Sequence, residues 1–302
     1  MRAMMQQWAI QIDVTNACPH ECSNCTRLTR HIAKPYFMEV EQFREILRCA
    51  QTFPTDSVPD VEGRTKVLGI IGGEPTLHPQ FLELVAAIEE IIPDRKHRGL
   101  WTSLGPKYEE HTARCKAVFG YQNRNAHDKP CWHQPVLVAA RELMPEPRPM
   151  WKLIWDCWLQ THWCGSVTPR GVYFCEVAAT LDLLLRKPAD SLALPIEPEF
   201  WNRSMLDFHP QMEAFCPLCS VAMPLPRRRD TMHVDDISPR NLELLTAALG
   251  REPRNVAVYD PAGYQPGAFA PHWTPREYLK PSPHDINPEP EQEAPCSPAP
   301  PS

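Results

Sequence analysis

The chain has 302 residues, 43% of them hydrophobic and 23% charged, as in soluble globular proteins rather than disordered or membrane proteins. Its net charge of −6 provides none of the basic excess that a phosphate-binding surface requires, which disfavours nucleic acid as a partner. No segment has the length of a signal-peptide core or a membrane span, so we expect a cytoplasmic protein without a membrane partner.

Strands alternate with helices in the first half of the chain. The pattern predicts strands at 8–15, 67–71 and 97–104, helices at 37–50 and 79–92, and a further helix and strand between 108 and 121. Such alternation is typical of parallel βαβ units.

The pattern changes beyond Pro135. It predicts helices at 134–144 and 150–160, a hairpin of 163–168 and 172–177 around the turn Pro169-Arg170-Gly171, and a helix at 238–249 with Ser238 as N-cap. We therefore expect a core at 1–147, a small module at 148–237, a C-terminal helix and strand that pack on the core at 238–280, and a disordered Pro-rich tail at 281–302.

A triplet of cysteines follows the first predicted strand. Cys18, Cys22 and Cys25 have the spacing C-x3-C-x2-C, and in a reducing compartment clustered cysteines indicate metal binding or catalysis rather than disulfides. Three thiolates on one loop can take three corners of a four-iron cluster and leave the fourth iron without a protein ligand. A structural zinc site, completed by His20 or a distant cysteine, is the alternative.

A glycine-rich turn follows the second predicted strand. Gly72 and Gly73 let a backbone edge approach a ligand, Glu74 can accept hydrogen bonds from an ammonium group, and Pro75 stiffens the turn.

Together, the triplet after the first strand and Gly-Gly-Glu-Pro after the second resemble the radical S-adenosylmethionine (SAM) superfamily. The resemblance covers roughly residues 8 to 145 and implies a shortened partial (β/α) barrel. It also implies that Cys18, Cys22 and Cys25 bind a [4Fe–4S] cluster whose open iron is chelated by SAM. In that family, an electron transferred from the cluster cleaves SAM to a 5′-deoxyadenosyl radical, which abstracts a substrate hydrogen, and the resemblance implies the same chemistry here. A flavodoxin or ferredoxin would supply the electron.

The same resemblance assigns the SAM-binding residues. Gly72, Gly73, Glu74 and Pro75 would line the methionine group, and Thr102 and Ser103, within 102–105, would approach the ribose. Many members carry an aromatic residue just before the third cysteine, near the adenine. Here that position is Asn24.

A second set of cysteines lies in the C-terminal half. Cys216 and Cys219 form a C-x2-C pair whose turn can present both thiolates to one metal, although redox activity and zinc binding are alternatives. With Cys157 before the hairpin and Cys175 after Gly171, the set resembles the twitch module, a shortened form of the SPASM extension of radical SAM enzymes. The resemblance implies that these four cysteines bind an auxiliary [4Fe–4S] cluster.

Cys164 competes with Cys157 for the first of these places. Thirteen residues separate Cys157 from Gly171, within the usual spacing of the module, whereas six separate Cys164 from it, so we assign Cys157. Cys115, Cys131 and Cys164 are candidate hydrogen donors, and Cys49 is expected to be a packing residue.

Two polar segments remain. His133 can bond a polar substrate, but a solvated loop histidine is the more ordinary interpretation. The run Arg227 to Asp230 can bind a carboxylate or phosphate, although such charged runs are usually exposed.

We expect a radical SAM enzyme that oxidises or epimerises a small polar molecule such as a sugar, aminocyclitol or nucleoside. A peptide-modifying radical SAM enzyme is the main alternative. It is disfavoured because the cluster motif begins at residue 18 and leaves no room for an N-terminal leader-binding domain. A non-catalytic zinc protein that binds partners is the alternative from another class.

Overall fold

The computed structural model of the protein describes residues 1–55, 65–103, 106–125 and 131–265. Its strands are β1 (Ala9–Thr15), β2 (Val67–Gly72), β3 (Arg98–Thr102), β4 (Tyr121–Arg124), β5 (Trp132–His133), β6 (Cys164–Thr168), β7 (Gly171–Tyr173), β8 (Arg228–Arg229), β9 (Asp235–Ile237) and β10 (Val256–Val258). Its α-helices are α1 (Val40–Ala50), α2 (Phe81–Ile91), α3 (Pro106–Glu110), α4 (Thr112–Val118), α5 (Ala140–Leu143), α6 (Pro147–Trp155), α7 (Trp158–His162), α8 (Glu176–Leu185), α9 (His209–Phe215) and α10 (Pro239–Leu249).

A six-stranded sheet with the spatial order β4-β3-β2-β1-β6-β7 organises the described residues. Neighbouring strands from β4 to β6 run parallel, and β7 joins antiparallel. This mixed α/β architecture with a mostly parallel sheet is consistent with the expected partial barrel. Because parallel strands end at a common edge, the loops after β1, β2 and β3 come together there.

The strand β1 lies inside the sheet, and all seven of its residues are buried. Its alternate residues Ile10 and Ile12 belong to the same apolar core as Phe43 of α1 and Leu84 of α2. The alternate residues Gln11 and Asp13, on the other face of the strand, are also buried. One face of β1 is therefore apolar, whereas the other carries polar side chains.

The hairpin of β6 and β7 extends the sheet beyond β1. Thr168 is paired with Gly171 across the turn, and β6 pairs in parallel with β1 from Ala9 onward. The sheet thus contains strands from both sides of residue 147, and the boundary there stays a prediction. Two short pairs, β5 with β8 and β9 with β10, complete the strand pairing of the described residues.

The structure confirms the first-half strands and helices within a few residues. The expected helix at 134–144 is wrong, because only Ala140–Leu143 is helical. The preceding residues are tied to the C-terminal half instead: Gln134 donates to the carbonyl of Ser220 at 3.3 Å, and Leu137 forms a bridge with Ile237.

Three other expectations need smaller corrections. The helix at 150–160 is two helices, α6 and α7, with Cys157 at the N-cap of the second. The second hairpin arm ends at Tyr173, not at residue 177, because α8 begins at Glu176. The helix at 238–249 is confirmed as α10, but the Ser238 hydroxyl bonds to Ala139 N–H and Glu142 rather than to its own helix.

The expected tail at 281–302 lies outside the described residues. In the described ranges, the structure contains no helix with the length and apolarity needed to cross a bilayer.

Candidate functional site

The loop after β1 carries Cys18, Cys22 and Cys25, and all three are partly exposed. Burial raises the pKa of Cys22, and the neighbouring charges of Cys25 and Cys18 raise it further. Burial also raises the pKa of Cys18 to about 12, against the effect of the His20 N–H, which points to its sulfur. As isolated groups the thiols would therefore stay protonated, and a bound cation would be needed to stabilise them as thiolates.

The glycine-rich turn is bonded directly to the beginning of this loop. Gly73 N–H donates to the carbonyl of Thr15 at 2.8 Å, and Glu74 N–H donates to that of Ala17 at 2.7 Å. A Cβ at Gly73 would lie 2.3 Å from the Ala17 oxygen and 2.9 Å from Cys18 Cβ. The absence of a side chain thus lets the turn approach the cysteine loop, whereas the sequence suggested only an approach to a ligand.

The Glu74 carboxylate joins the ends of β2 and β3. It is fully buried and accepts hydrogen bonds from the hydroxyls of Thr76 at 2.6 Å, Thr102 at 2.8 Å and Ser103 at 2.6 Å. The backbone N–H groups of Thr76 and Ser103 also donate to it. The residues expected to bind SAM therefore lie together, but Glu74 has an internal bonding role that the sequence did not indicate.

The segment of β8 and β9 packs against the cysteine loop. Asn24, which has a positive φ of 51°, donates through its backbone N–H to Asp235 at 2.5 Å and through its side chain to Asp236 at 2.9 Å. Asp235 also bonds to His31 at 2.8 Å, and Asp236 is paired with Arg228. Asn24, which directly precedes the third cysteine, therefore bonds to the C-terminal segment.

The charged run at Arg227 to Asp230 is not an exposed surface. Arg227, Arg228 and Asp230 are each at most 8% exposed. Asp230 N–H donates to the carbonyl of Cys131 at 2.9 Å, and Ser23 N–H donates to the carbonyl of Asp230 at 2.9 Å. The expectation of a solvated run is therefore wrong, because these residues connect the cysteine loop with β5.

His133 also lies against the first cysteine loop. Its Nδ1 is 2.7 Å from the Ser23 carbonyl, and its Nε2 is 3.4 Å from the Cys131 sulfur. Burial raises the pKa of Cys131 to about 11. The ordinary interpretation of His133 as a solvated loop residue is wrong.

The second set of cysteines lines one cavity of about 400 Å³, counted with its open mouth. Cys157, Cys175, Cys216 and Cys219 all contribute to its wall. Burial raises the pKa of Cys175 well above its ordinary value, and the charges of Cys157 and Cys219 add to this effect because the side chains are neighbours.

Backbone N–H groups point at the sulfur atoms of this set. The N–H of Ala178 lies 3.3 Å from the Cys175 sulfur, and that of Val221 lies 3.4 Å from the Cys219 sulfur. Cys157 likewise receives N–H groups from Leu159 and Gln160. Hydrogen bonds of this kind tune cluster-bound thiolates.

The other cysteines lie elsewhere. Cys164 is fully buried in β6, in an apolar cluster that includes Trp8 and Trp101. Cys115 is fully buried in the main core, and Cys49 lies on α1, where its thiol points to Glu45 at 3.5 Å.

An ion network that the sequence did not indicate connects the two cysteine regions. Arg27, two residues after Cys25, bonds to Asp13 at 2.6 Å and to Glu176 at 2.8 Å, and Glu176 directly follows Cys175. Asp13, Arg27 and Glu176 are all at most 8% exposed. The one signal of this network in the sequence was the alternation of residues in β1, which puts two polar side chains on one face of a buried strand.

Within the described residues, no three His, Cys, Asp or Glu side chains lie close enough together to bind a single metal ion. A four-iron cluster takes one thiolate at each protein-bound corner, so it needs space between its ligands. The cavity between the four C-terminal cysteines, with N–H groups directed at their sulfurs, fits such a group.

The sequence matches no protein-family model and no curated protein. Among solved structures, the chain is similar to BtrN in an open conformation, with a TM-score of 0.39 and 11% identity over 70% of this chain and 86% of BtrN. It is also similar to BtrN in complex with AdoMet and 2-DOIA, with a TM-score of 0.38 and 13% identity over 70% of this chain and 92% of that chain.

Proposed function

We propose that the protein is a radical SAM enzyme with two iron–sulfur clusters. The observation that supports this most directly is the bonding of the glycine-rich turn to the cysteine loop at the carboxyl edge of the parallel sheet. In this type of sheet, ligands bind outside the carboxyl ends of the strands.

In this proposal, Cys18, Cys22 and Cys25 bind the first cluster, which supplies the electron for SAM cleavage when it is present. Gly72, Gly73, Glu74, Pro75, Thr102 and Ser103 form the adjoining SAM site. The Glu74 carboxylate orients this site, because it joins the Gly-Gly-Glu-Pro turn to Thr102 and Ser103.

Cys157, Cys175, Cys216 and Cys219 bind the auxiliary cluster in a twitch-like module at 148–237. Support comes from the cavity that these four side chains share. With four protein ligands the cluster would have no open iron, which suits electron transfer or structural support better than substrate chelation. Residues 1–147 then form the catalytic core, and 238–280 pack on it.

The substrate is proposed to be a small polar molecule, and the reaction its oxidation or epimerisation. An epimerase needs a hydrogen donor near the radical site. Among the three candidates, Cys131 is the one whose charge influences Cys22, and it is partly exposed, whereas Cys115 and Cys164 are fully buried. A flavodoxin or ferredoxin in the cytoplasm would supply electrons.

The test is anaerobic reconstitution with iron and sulfide. Two four-iron clusters require about eight irons per chain. Replacing Cys18, Cys22 and Cys25 with Ala should halve the iron and abolish SAM cleavage under a strong reductant. The control Cys49→Ala should retain both, because that thiol lies on α1 away from the two sites.

A colourless protein with stoichiometric zinc and no SAM cleavage would contradict the proposal. That outcome would favour the zinc-binding interaction protein.

A further inference from the structure

Arg27 is a buried cation that reaches from the first cysteine set toward the second. It lies two residues after Cys25 in the chain. Its guanidinium donates to Asp13 at 2.6 Å, to Gln11 at 2.6 Å and to Glu176 at 2.8 Å, and these three partners are buried as well. A guanidinium held by several buried partners is fixed in position, so its charge acts at a defined place.

The main chain of Arg27 contacts the first cysteine set. Its backbone N–H points at the Cys25 sulfur. Burial raises the pKa of Cys25, whereas this N–H group and the guanidinium charge of Arg27 both oppose the effect. One residue therefore contacts a sulfur of the first set and also carries a charge that acts on it.

The carboxylate of Glu176 extends the connection to the second set. Glu176 is the first residue of α8 and directly follows Cys175, which is the N-cap of that helix. The Cys175 sulfur accepts the N–H of Ala178 at 3.3 Å. Covalent and hydrogen bonds thus connect the Cys25 sulfur with Cys175 through the Arg27–Glu176 ion pair.

Charges buried in this way affect the uptake of an electron nearby. The potential of an iron–sulfur cluster depends on the charges around it and on the hydrogen bonds to its sulfurs. A reduced cluster carries one more negative charge than an oxidised cluster, so a nearby cation raises the reduction potential and a nearby carboxylate lowers it. Salt screens buried charges much less than exposed ones, so this effect persists at physiological ionic strength.

From this geometry we propose that the Arg27–Glu176 ion pair tunes the reduction potentials of both proposed clusters, so that the two cysteine sites share one electrostatic element. The inference rests on the proposed function, because both clusters belong to it. Arg27 and Glu176 are positioning residues in this role, since each acts through a neighbouring cysteine rather than on the substrate.

A buried ion pair that only holds the fold together would behave differently. Loss of either partner would then lower stability or iron content, because an unpaired buried charge is costly. It would give no reason for the two partners to change a potential in opposite directions. The sign of the change therefore separates a tuning role from a structural one.

The experiment is a redox titration of the full chain, monitored by electron paramagnetic resonance after anaerobic reconstitution with iron and sulfide and without SAM. Glu176→Gln removes a negative charge but keeps an oxygen that can accept from Arg27, so it should raise the midpoint potentials of both clusters. Arg27→Met removes the positive charge and should lower both. We expect about a tenfold change in the ratio of reduced to oxidised cluster at a fixed potential, which equals about 59 mV for a one-electron couple.

Arg98→Met is the matched control. Arg98 is also a buried arginine, but it begins β3 and donates to backbone carbonyls, among them those of Ile92 and Pro93. Its loss should therefore cost stability and leave both potentials unchanged. The variant in which the first three cysteines are replaced with Ala assigns the two signals, because it retains only the auxiliary cluster.

Three results would overturn the proposal: unchanged potentials in Glu176→Gln, shifts of the same sign in the two variants, or an equal shift in Arg98→Met. A shift confined to one cluster would contradict the shared role. If Arg27→Met does not fold, Glu176→Gln decides alone.

Failure of this inference can be told apart from failure of the proposed function. A protein with about eight irons and SAM cleavage, but with unchanged potentials in the variants, would refute the tuning role and leave the proposed function standing. A protein that assembles no cluster would refute both.

Discussion

The sulfur atoms of Cys157 and Cys164 lie in contrasting surroundings. Cys157 lines the cavity with three other cysteines and receives two backbone N–H groups. Cys164 is packed in β6 beside Trp8 and Trp101. A metal cluster needs both neighbouring thiolates and space, so the first environment suits a ligand and the second suits a core residue.

Cys157→Ala should lower the iron content by up to about four irons per chain, because an open corner destabilises the auxiliary cluster. Cys164→Ala should retain all of the iron and lower the free energy of unfolding by about 1–2 kcal/mol through lost packing. Iron analysis and chemical denaturation of both variants measure these effects. Reversed iron contents would make Cys164 the ligand and contradict our assignment.

The β6–β7 hairpin positions Cys175 at the start of α8. Gly171 closes its turn with a φ of +139°, and a Cβ there would lie 2.3 Å from the carbonyl oxygen of Leu194. Val172 is hydrogen-bonded to the same Leu194 in both directions. The hairpin therefore cannot move away from the segment around Leu194 without losing those two hydrogen bonds.

Gly171→Ala should lower the free energy of unfolding by about 2–5 kcal/mol, since backbone strain and overpacking act together. The shift of the hairpin should also reduce the auxiliary iron, because Cys175 follows it closely.

The matched control is Gly250→Ala. Gly250 also has a positive φ, +65°, but a Cβ there would meet nothing within 4 Å, so the loss should be about 1 kcal/mol. Equal losses for the two variants would show that the contact with Leu194 has no energetic role.

Across the whole molecule, residues more than 200 positions apart in sequence form the first cysteine site. Asp235 of β9 accepts the Asn24 N–H and bonds to His31, and both partners flank Cys25 in the chain. Arg30 lies 3.8 Å from the same carboxylate. The C-terminal part of the chain therefore determines the conformation of the N-terminal cysteine loop.

Asp235→Asn should lower the free energy of unfolding by about 2–4 kcal/mol, because it weakens a buried charge with several partners. It should also reduce the iron bound at the first site, measured after removal of loosely bound metal by a chelator.

Glu243→Gln is the control at the surface. Its carboxylate forms an exposed pair with Arg240 on α10, so the change should be below about 1 kcal/mol with full iron content. If Asp235→Asn behaves like this control, the cysteine loop does not depend on β9.

Local patterns in the sequence were enough to predict the parallel strands, the hairpin turn at Gly171 and the positions of both cysteine motifs. Alternation within β1 and helical spacing in α1 depend on neighbouring residues alone, so they are visible without the fold. The helix expected at 134–144 failed because Gln134 and Leu137 bond to residues about 90 positions or more away, which local periodicity does not report.

Only the tertiary structure decided how the site is assembled. It joined Glu74 to Ser103 and placed Asn24 on Asp235 and Asp236. It also buried Arg227, Arg228 and Asp230, and it connected Asp13 to Glu176 through Arg27. The sequence by itself determined which side chains could carry the chemistry, through motif spacing. Which groups are buried or paired depends on contacts between distant segments, because desolvation and hydrogen bonding act only once those segments meet.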